Sequence, residues 1–106
     1  MAVFVLPDAQ QDLLELQQYM LANWDEKAWL RAEDEIFEKL DQVDRGRFHG
    51  TPLPELASVG IHDYQTVLTS HHRLLYRQID GDLYVYLIAS HQQDFPTWWA
   101  RRLQRI

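Results

Sequence analysis

Several residue types are missing or scarce in this chain of 106 residues. It has no cysteine, which excludes disulfides, thiolate nucleophiles and cysteine-ligated metals. No apolar run approaches the roughly 18 residues of a membrane span, and no signal-peptide pattern opens the sequence. We therefore expect a cytoplasmic protein without a membrane contact. With only four glycines, four prolines and no repeat or linker, it is expected to form one domain over residues 1–106.

Positive charge is also scarce, since the only lysines are Lys27 and Lys39. The net charge is −6, and residues 1–65 carry 13 acidic against 5 basic side chains. Residues 66–106 carry three acidic side chains against five arginines. An acidic protein gains little from non-specific attraction to phosphate. This balance argues against a simple DNA- or RNA-binding protein and leaves only the C-terminal third for a local nucleic-acid contact.

The first half of the sequence predicts a strand followed by two helices. Residues 2–6 form a short β-rich run, and Pro7 then opens a helix for which Asp8 is the expected N-cap. Apolar residues recur at helical spacing on both sides of a break at 23–26, which predicts an antiparallel helical hairpin. The predicted apolar faces are Ala9, Leu13, Leu16, Met20 and Trp24 in the first helix, and Trp29, Ala32, Ile36, Leu40 and Val43 in the second.

The second half predicts a sheet. Residues 46–57 contain two glycines and two prolines and are expected to form a loop. Three segments rich in β-branched and aromatic residues follow, at 61–69, 72–79 and 82–91, and Asp80-Gly81 is a strong hairpin signal between the last two. A short helix begins near Pro96. The expected fold is α+β: an N-terminal strand, a helical hairpin, a three-stranded antiparallel meander and a short C-terminal helix, with the helices on one face.

Histidines and arginines are the candidate functional side chains. No metal-ligand spacing links the histidines, and no phosphate-binding or dinucleotide-binding motif occurs, so we expect neither a metal nor another cofactor. His91 ends the last predicted strand, where a functional role is as reasonable as a structural one. The other histidines are more simply explained as structural or surface residues: His49, His62, His71 and His72.

Two groups of arginines have alternative explanations. Arg73 and Arg77 share one face of a strand, where they could hold phosphate or pair with the acidic helices. In the last helix, Phe95, Trp99, Leu103 and Ile106 form an apolar stripe. The neighbouring stripe is predicted to bind a partner, because tryptophan and arginine are enriched at interface hot spots; the alternative is a half-buried tryptophan covered by arginine stems. This second stripe consists of Trp98, Arg101, Arg102 and Arg105.

Three motifs in this order resemble the RelE/ParE superfamily of bacterial type II toxins. They are G-x-P-x-P-E-L at 50–56, R-x-L-Y-R at 73–77, and a final strand ending in His91 followed by QQDF. The resemblance covers essentially the whole chain. It implies a helical hairpin on an antiparallel sheet and a toxin that is held inactive by a cognate antitoxin, with DNA contacted only through that antitoxin.

The superfamily contains two activities. RelE-like members are ribosome-dependent mRNA endonucleases, whereas ParE-like members block DNA gyrase. A metal-independent RNase needs cations to stabilise a dianionic phosphorane, and only Arg73, Arg77 and His91 are candidates here. Both lysines fall on the helices, and Gln92 and Gln93 follow His91 where many relatives carry arginine.

The resemblance therefore favours a ParE-like, non-enzymatic toxin that inhibits gyrase. One alternative is an mRNA endonuclease, including a version that uses His62, His71 or His72 together with His91. The other is a non-toxic member that acts only in a complex with its antitoxin.

Overall fold

The computed structural model describes residues 2–91 and 93–104. In chain order the elements are β1 (Val3–Val5), α1 (Pro7–Asn23), α2 (Glu26–Asp44), β2 (Thr51–Pro52), α3 (Pro54–Ala57), β3 (Tyr64–Leu68), β4 (His72–Ile79), β5 (Asp82–Ser90) and α4 (Phe95–Gln104). The predicted α+β class and the order of its main elements are confirmed. None of the helices in the described residues is long and apolar enough to cross a membrane.

The strands form one five-stranded sheet in the order β1-β5-β4-β3-β2. β1 runs parallel to β5, and the other neighbours are antiparallel. The β4–β5 hairpin turns at Asp80 and Gly81, both at positive φ (52° and 85°), as the favoured two-residue turn requires. In this hairpin Leu75 pairs with Leu87 but Tyr76 pairs with Val85, so Tyr86 is the extra residue of a β-bulge.

The helical hairpin packs on one face of the sheet. Asp25 caps α2 by accepting a hydrogen bond from the backbone N–H of Ala28 at 2.7 Å. All five residues of the predicted apolar face of α2 are buried, together with Ala9, Leu16 and Met20 of α1. They contact the side chains that β3, β4 and β5 turn towards the helices: Val67, Leu74, Tyr76, Leu83, Val85 and Ile88.

A smaller apolar cluster covers the opposite face of the sheet. Alternate residues of β4 and β5 point to this side, as the pleat requires, and they meet Leu53 and Phe95 from outside the sheet. The sequence predicted that the helices lie on one face, but α4 packs on the face opposite to α1 and α2. The strand residues of this cluster are Leu75, Tyr86, Leu87 and Ala89.

Several local expectations were wrong. The N-cap position of α1 is Leu6, with Pro7 at the first helical position and Asp8 inside the first turn. Trp24 lies at the C-cap, beyond the helix, and 51% of its surface is exposed. The loop expected at 46–57 contains the short elements β2 and α3, and β3 begins at Tyr64 instead of residue 61. Ile106, predicted for the apolar stripe of the last helix, lies outside the described residues.

Candidate functional site

The two sheet arginines stack on aromatic rings of the face that α4 covers. The guanidinium carbon of Arg73 lies 4.6 Å from the ring centre of Phe95. That of Arg77 lies 5.1 Å from the ring centre of Tyr64 and 5.7 Å from that of Tyr86. The Nε atom of each arginine is buried and has no hydrogen-bond partner among the described residues. Arg77 follows Arg73 by four positions on one strand, a backbone spacing of about 13 Å. They do not converge on one point.

His91 lies in the turn after β5, near Arg73. Its Nε2 atom is 3.0 Å from the carbonyl oxygen of His72; because a carbonyl oxygen only accepts, this contact requires the hydrogen on Nε2. Arg73 and His91 line one depression of about 430 Å³, which also includes Asp94. Of the three RNase candidates, the structure brings Arg73 and His91 together, while Arg77 lies further along the strand.

A cluster of histidines surrounds the start of β4. His72 is 2% exposed, and its Nδ1 atom has no hydrogen-bond partner within the described part of the chain. The ring centres of His71 and His72 are 6.3 Å apart, and His71 meets Trp24 edge-on at 5.0 Å. Burial lowers the pKa of His72 to about 4, with the positive charges of His71 and His91 acting in the same direction. His72 is therefore neutral at pH 7.

Glu35 of α2 fixes the turn beside these histidines. Its Oε2 atom accepts hydrogen bonds from both the backbone N–H and the hydroxyl of Ser70, each at 2.8 Å. Burial of Glu35 opposes ionisation, but these hydrogen bonds together with the charges of His71 and Lys39 leave its pKa below the ordinary value. The described residues contain no group of three potential metal ligands close enough to hold one ion.

The predicted partner-binding stripe of α4 divides in the structure. Arg101 is exposed and Trp98 is half-buried, so both remain available to a partner, and their role stays a prediction. Arg102 is only 5% exposed, and its placement on that surface was wrong. Arg105 lies outside the described residues.

Arg102 closes a buried polar cluster. Its Nη1 and Nη2 atoms donate to the two carboxylate oxygens of Asp12 at 2.9 and 2.8 Å, a bidentate pair. Nη1 also donates to the carbonyl oxygen of Tyr86, the bulge residue. Asp12 in turn accepts from the backbone N–H of Ile88 at 3.1 Å. Asp12 raises the pKa of Arg102 through hydrogen bonds and charge, against the opposing effect of burial.

This cluster satisfies backbone hydrogen-bonding groups on the outer edge of β5. β1 pairs with β5 only as far as Val85, and beyond that residue no strand in the described part of the chain lies beside the outer edge of β5. Buried backbone groups need partners, and Asp12 and Arg102 supply them for Ile88 and Tyr86. The pair thereby joins α1, β5 and α4.

Two connected depressions lie between α1 and the end of β5. The larger, about 320 Å³, is called here the α1–α4 groove and is lined by Asp12, Glu15, Leu16, Tyr19, Ile88, Ser90, Gln93 and Trp98. The smaller, about 100 Å³, is called the histidine pocket and is lined by Leu16, Tyr19, Met20, Trp24, Ser70, His71, His72, Ser90 and His91. They share Leu16, Tyr19 and Ser90.

The Asp12–Arg102 pair was missed, although the sequence carries a signal for it. Asp12 lies three residues after Ala9 and four before Leu16, which places an acid within the apolar stripe of α1. A buried carboxylate needs a cationic partner. Nothing in the local sequence indicates which arginine supplies the positive charge.

The fold is similar to that of a protein of known structure from a toxin–antitoxin system. In the chromosomal ParDE TA system from P. aeruginosa, one chain superposes on this protein with a TM-score of 0.66 and 14% sequence identity. The superposition covers 85% of this chain and 95% of that one. At such low identity the likeness concerns the fold alone.

The sequence identifies the family. Residues 3–95 match the family model described as the ParE toxin of the type II toxin-antitoxin system, parDE. This segment is most of the chain, which therefore belongs to the ParE toxin family. Residues of α4 after Phe95 lie beyond the matched segment. No curated protein sequence matches the chain closely enough to count as a relative.

Proposed function

We propose that this ParE-family toxin acts in the cytoplasm by binding DNA gyrase and inhibiting it, without cleaving RNA. The supporting observation is the state of its sheet cations. Arg73 and Arg77 stack on different aromatic rings, Phe95 and Tyr64, and start about 13 Å apart along β4, so in this structure they are not aimed at one phosphate. Lys39 lies over the ring of Phe48 on the helical side of the molecule, at 4.0 Å from the ring centre. A phosphorane needs several cations aimed at one point.

The charge distribution supports the same proposal. The ribosomal site of an mRNA endonuclease is dense in phosphate, which repels a protein with a net charge of −6. A protein target imposes no such requirement. Trp98 and Arg101 are the residues proposed to contact it, because both are accessible on α4 and belong to residue types common at hot spots.

A supercoiling assay with purified gyrase tests the proposal. Titration with the toxin is expected to slow the conversion of relaxed plasmid to supercoiled plasmid. Trp98→Ala and Arg101→Ala should each raise the half-inhibitory concentration about tenfold, the effect of removing a hot-spot side chain. Arg45→Ala is the matched control, since Arg45 is an exposed arginine that pairs with Asp41 on α2. Full supercoiling at a large molar excess of toxin would exclude the proposal.

We also propose that a cognate antitoxin neutralises the toxin and supplies all contact with DNA. Membership of a toxin–antitoxin family supports the first part, and the acidity of the chain supports the second. Adding the antitoxin encoded beside the toxin gene should restore gyrase activity in the same assay. In a gel-shift experiment the antitoxin and the complex should retard operator DNA while the toxin alone leaves it free. Retardation by the toxin alone would contradict this proposal.

One observation favours a second candidate, the RelE-like mRNA endonuclease. Arg73 and His91 line the same depression, so two polar groups face one accessible space. This function requires cleavage of mRNA on programmed ribosomes, lost in Arg73→Ala and in His91→Ala. Intact mRNA under those conditions would exclude it. Normal growth at high soluble expression would instead favour a member that is not toxic and acts only with its antitoxin.

A further inference from the structure

The α1–α4 groove combines two acidic side chains, Asp12 and Glu15, with two aromatic residues, Tyr19 and Trp98. Glu15 and Tyr19 are four residues apart on α1 and therefore share one face of the helix. Trp98 lines the same groove from α4. Glu15 is exposed, and Tyr19 is 50% exposed, so both are accessible from solvent.

Glu15 supplies the negative charge of this groove that has no cation within ion-pair distance among the described residues; Arg102, which binds Asp12, acts on Glu15 only through its charge at longer range. Asp12 also lines the groove, but both of its carboxylate oxygens bind Arg102. Glu15 forms no ion pair with any described residue and accepts only a long hydrogen bond, 3.4 Å, from Nε2 of Gln11. None of the described side chains lining the groove is a lysine or an arginine.

The surrounding charge reinforces this asymmetry. Residues 7–44, which contain α1 and α2, carry 11 acidic against 3 basic side chains. A carboxylate beside aromatic faces, in a field of negative charge, is suited to a planar cation. A guanidinium both pairs with carboxylates and stacks on aromatic rings. At about 320 Å³ the groove has room for one, since a cavity of about 150 Å³ admits benzene.

We propose that the α1–α4 groove binds an arginine side chain of a protein partner, with Glu15 as its counter-ion and with Tyr19 and Trp98 against its guanidinium. The partner is a polypeptide because the groove shares Leu16, Tyr19 and Ser90 with the histidine pocket, whose lining includes the buried apolar side chains of Leu16 and Met20. A residue next to the arginine places an apolar side chain there, which a free polyamine cannot do. The inference rests on the proposal that Trp98 belongs to a partner-binding surface.

Titrations followed by two-dimensional NMR of the ¹⁵N-labelled protein test this site. The probe is the N-acetyl N-methylamide of arginine; the corresponding citrulline derivative has nearly the same shape without the charge. The arginine derivative should shift the indole N–H of Trp98 and the amides around Glu15 and Tyr19, and bind at least about tenfold more tightly than citrulline, because charged hydrogen bonds are the stronger ones. Spermidine should produce weaker shifts at these positions than the arginine derivative.

Variants separate the site from general attraction to an acidic protein. Glu15→Gln should weaken binding of the arginine derivative about tenfold. Glu38→Gln removes an equal charge from an exposed position on α2, outside both depressions, and should leave the affinity unchanged. Equal losses in the two variants, or shifts spread over α2, would overturn the proposal, as would equal binding of arginine and citrulline derivatives. The titration is independent of gyrase, so a failed supercoiling assay and a failed groove remain distinguishable.

Discussion

The buried neutral histidine at the start of β4 makes the stability of this protein depend on pH. The pKa of His72 is about 4 in the folded chain, against an ordinary value of 6.5 in the unfolded chain. Above pH 6.5 neither state binds the proton, and the histidine has no effect. As the pH falls from 6.5 towards 4, the unfolded chain takes up a proton that the folded chain excludes. The free energy of unfolding therefore decreases. At about 1.4 kcal/mol per pKa unit, the full loss is about 3 kcal/mol, complete near pH 4.

Burial causes most of this effect, and the charged groups around His72 modify it. His71 and His91 oppose its protonation when they are charged, and Glu35 favours it. The contact of His91 with the His72 carbonyl and the edge-on packing of His71 against Trp24 hold two imidazoles at this corner of the sheet. Protonation therefore accumulates positive charge at a corner where the Nδ1 atom of His72 has no hydrogen-bond partner among the described residues. Acid should open this corner first.

Urea unfolding followed by circular dichroism between pH 7.5 and pH 4.5 measures the loss. His72→Phe keeps a planar ring and removes the titrating group, so its free energy of unfolding should fall about 2–3 kcal/mol less than that of the wild type over this range. His62→Gln, at an exposed loop position, should follow the wild type. His72→Gln and an NMR titration of the wild-type imidazole provide independent readouts. Parallel pH curves for wild type and both His72 variants, or titration of His72 near pH 6.5, would refute the reasoning.

Two further predictions concern stability. Asp12→Ala and Arg102→Ala should each lower the free energy of unfolding by about 3–5 kcal/mol, because either change leaves the other charge buried alone. The double variant Asp12→Leu with Arg102→Met should lower it by less than either single change. A larger decrease for the double variant in urea unfolding would contradict this prediction. In Gly50→Ala the added Cβ would lie 2.6 Å from the Tyr76 hydroxyl oxygen. This should lower the free energy of unfolding by about 1–3 kcal/mol, which thermal unfolding would show as a lower midpoint. Gly46→Ala has open space and only an unfavourable φ of +73°, so its cost should stay near 1 kcal/mol; equal midpoints for the two variants would be inconsistent with the close approach at Gly50.

The main elements could be predicted from local patterns because their signals are strong. The helical period of α2 places five apolar residues on one face, and all five are buried. Asp80-Gly81 specifies a turn that only residues tolerant of positive φ can make easily. β2 and α3 could not be found in this way, since an element of two or four residues has no period to detect. Such a short element depends on residues that are distant in the sequence: Thr51 and Pro52 form β2 because they pair with β3.

The candidate site was predicted less well, because neighbouring arginines have the same chemistry in the sequence and different roles in the fold. Arg101 and Arg102 differ by one step of about 100° around a helix, and that step takes one into solvent and the other against Asp12. The outer edge of β5 explains the difference, since its backbone groups at Ile88 and Tyr86 are satisfied by the buried pair of Asp12 and Arg102. A partner surface on α4 is therefore limited to side chains that are not buried against the sheet. On the same ground Glu15 is the acid to test in the groove: Asp12 lies one helical turn earlier, and the fold has already supplied its cation.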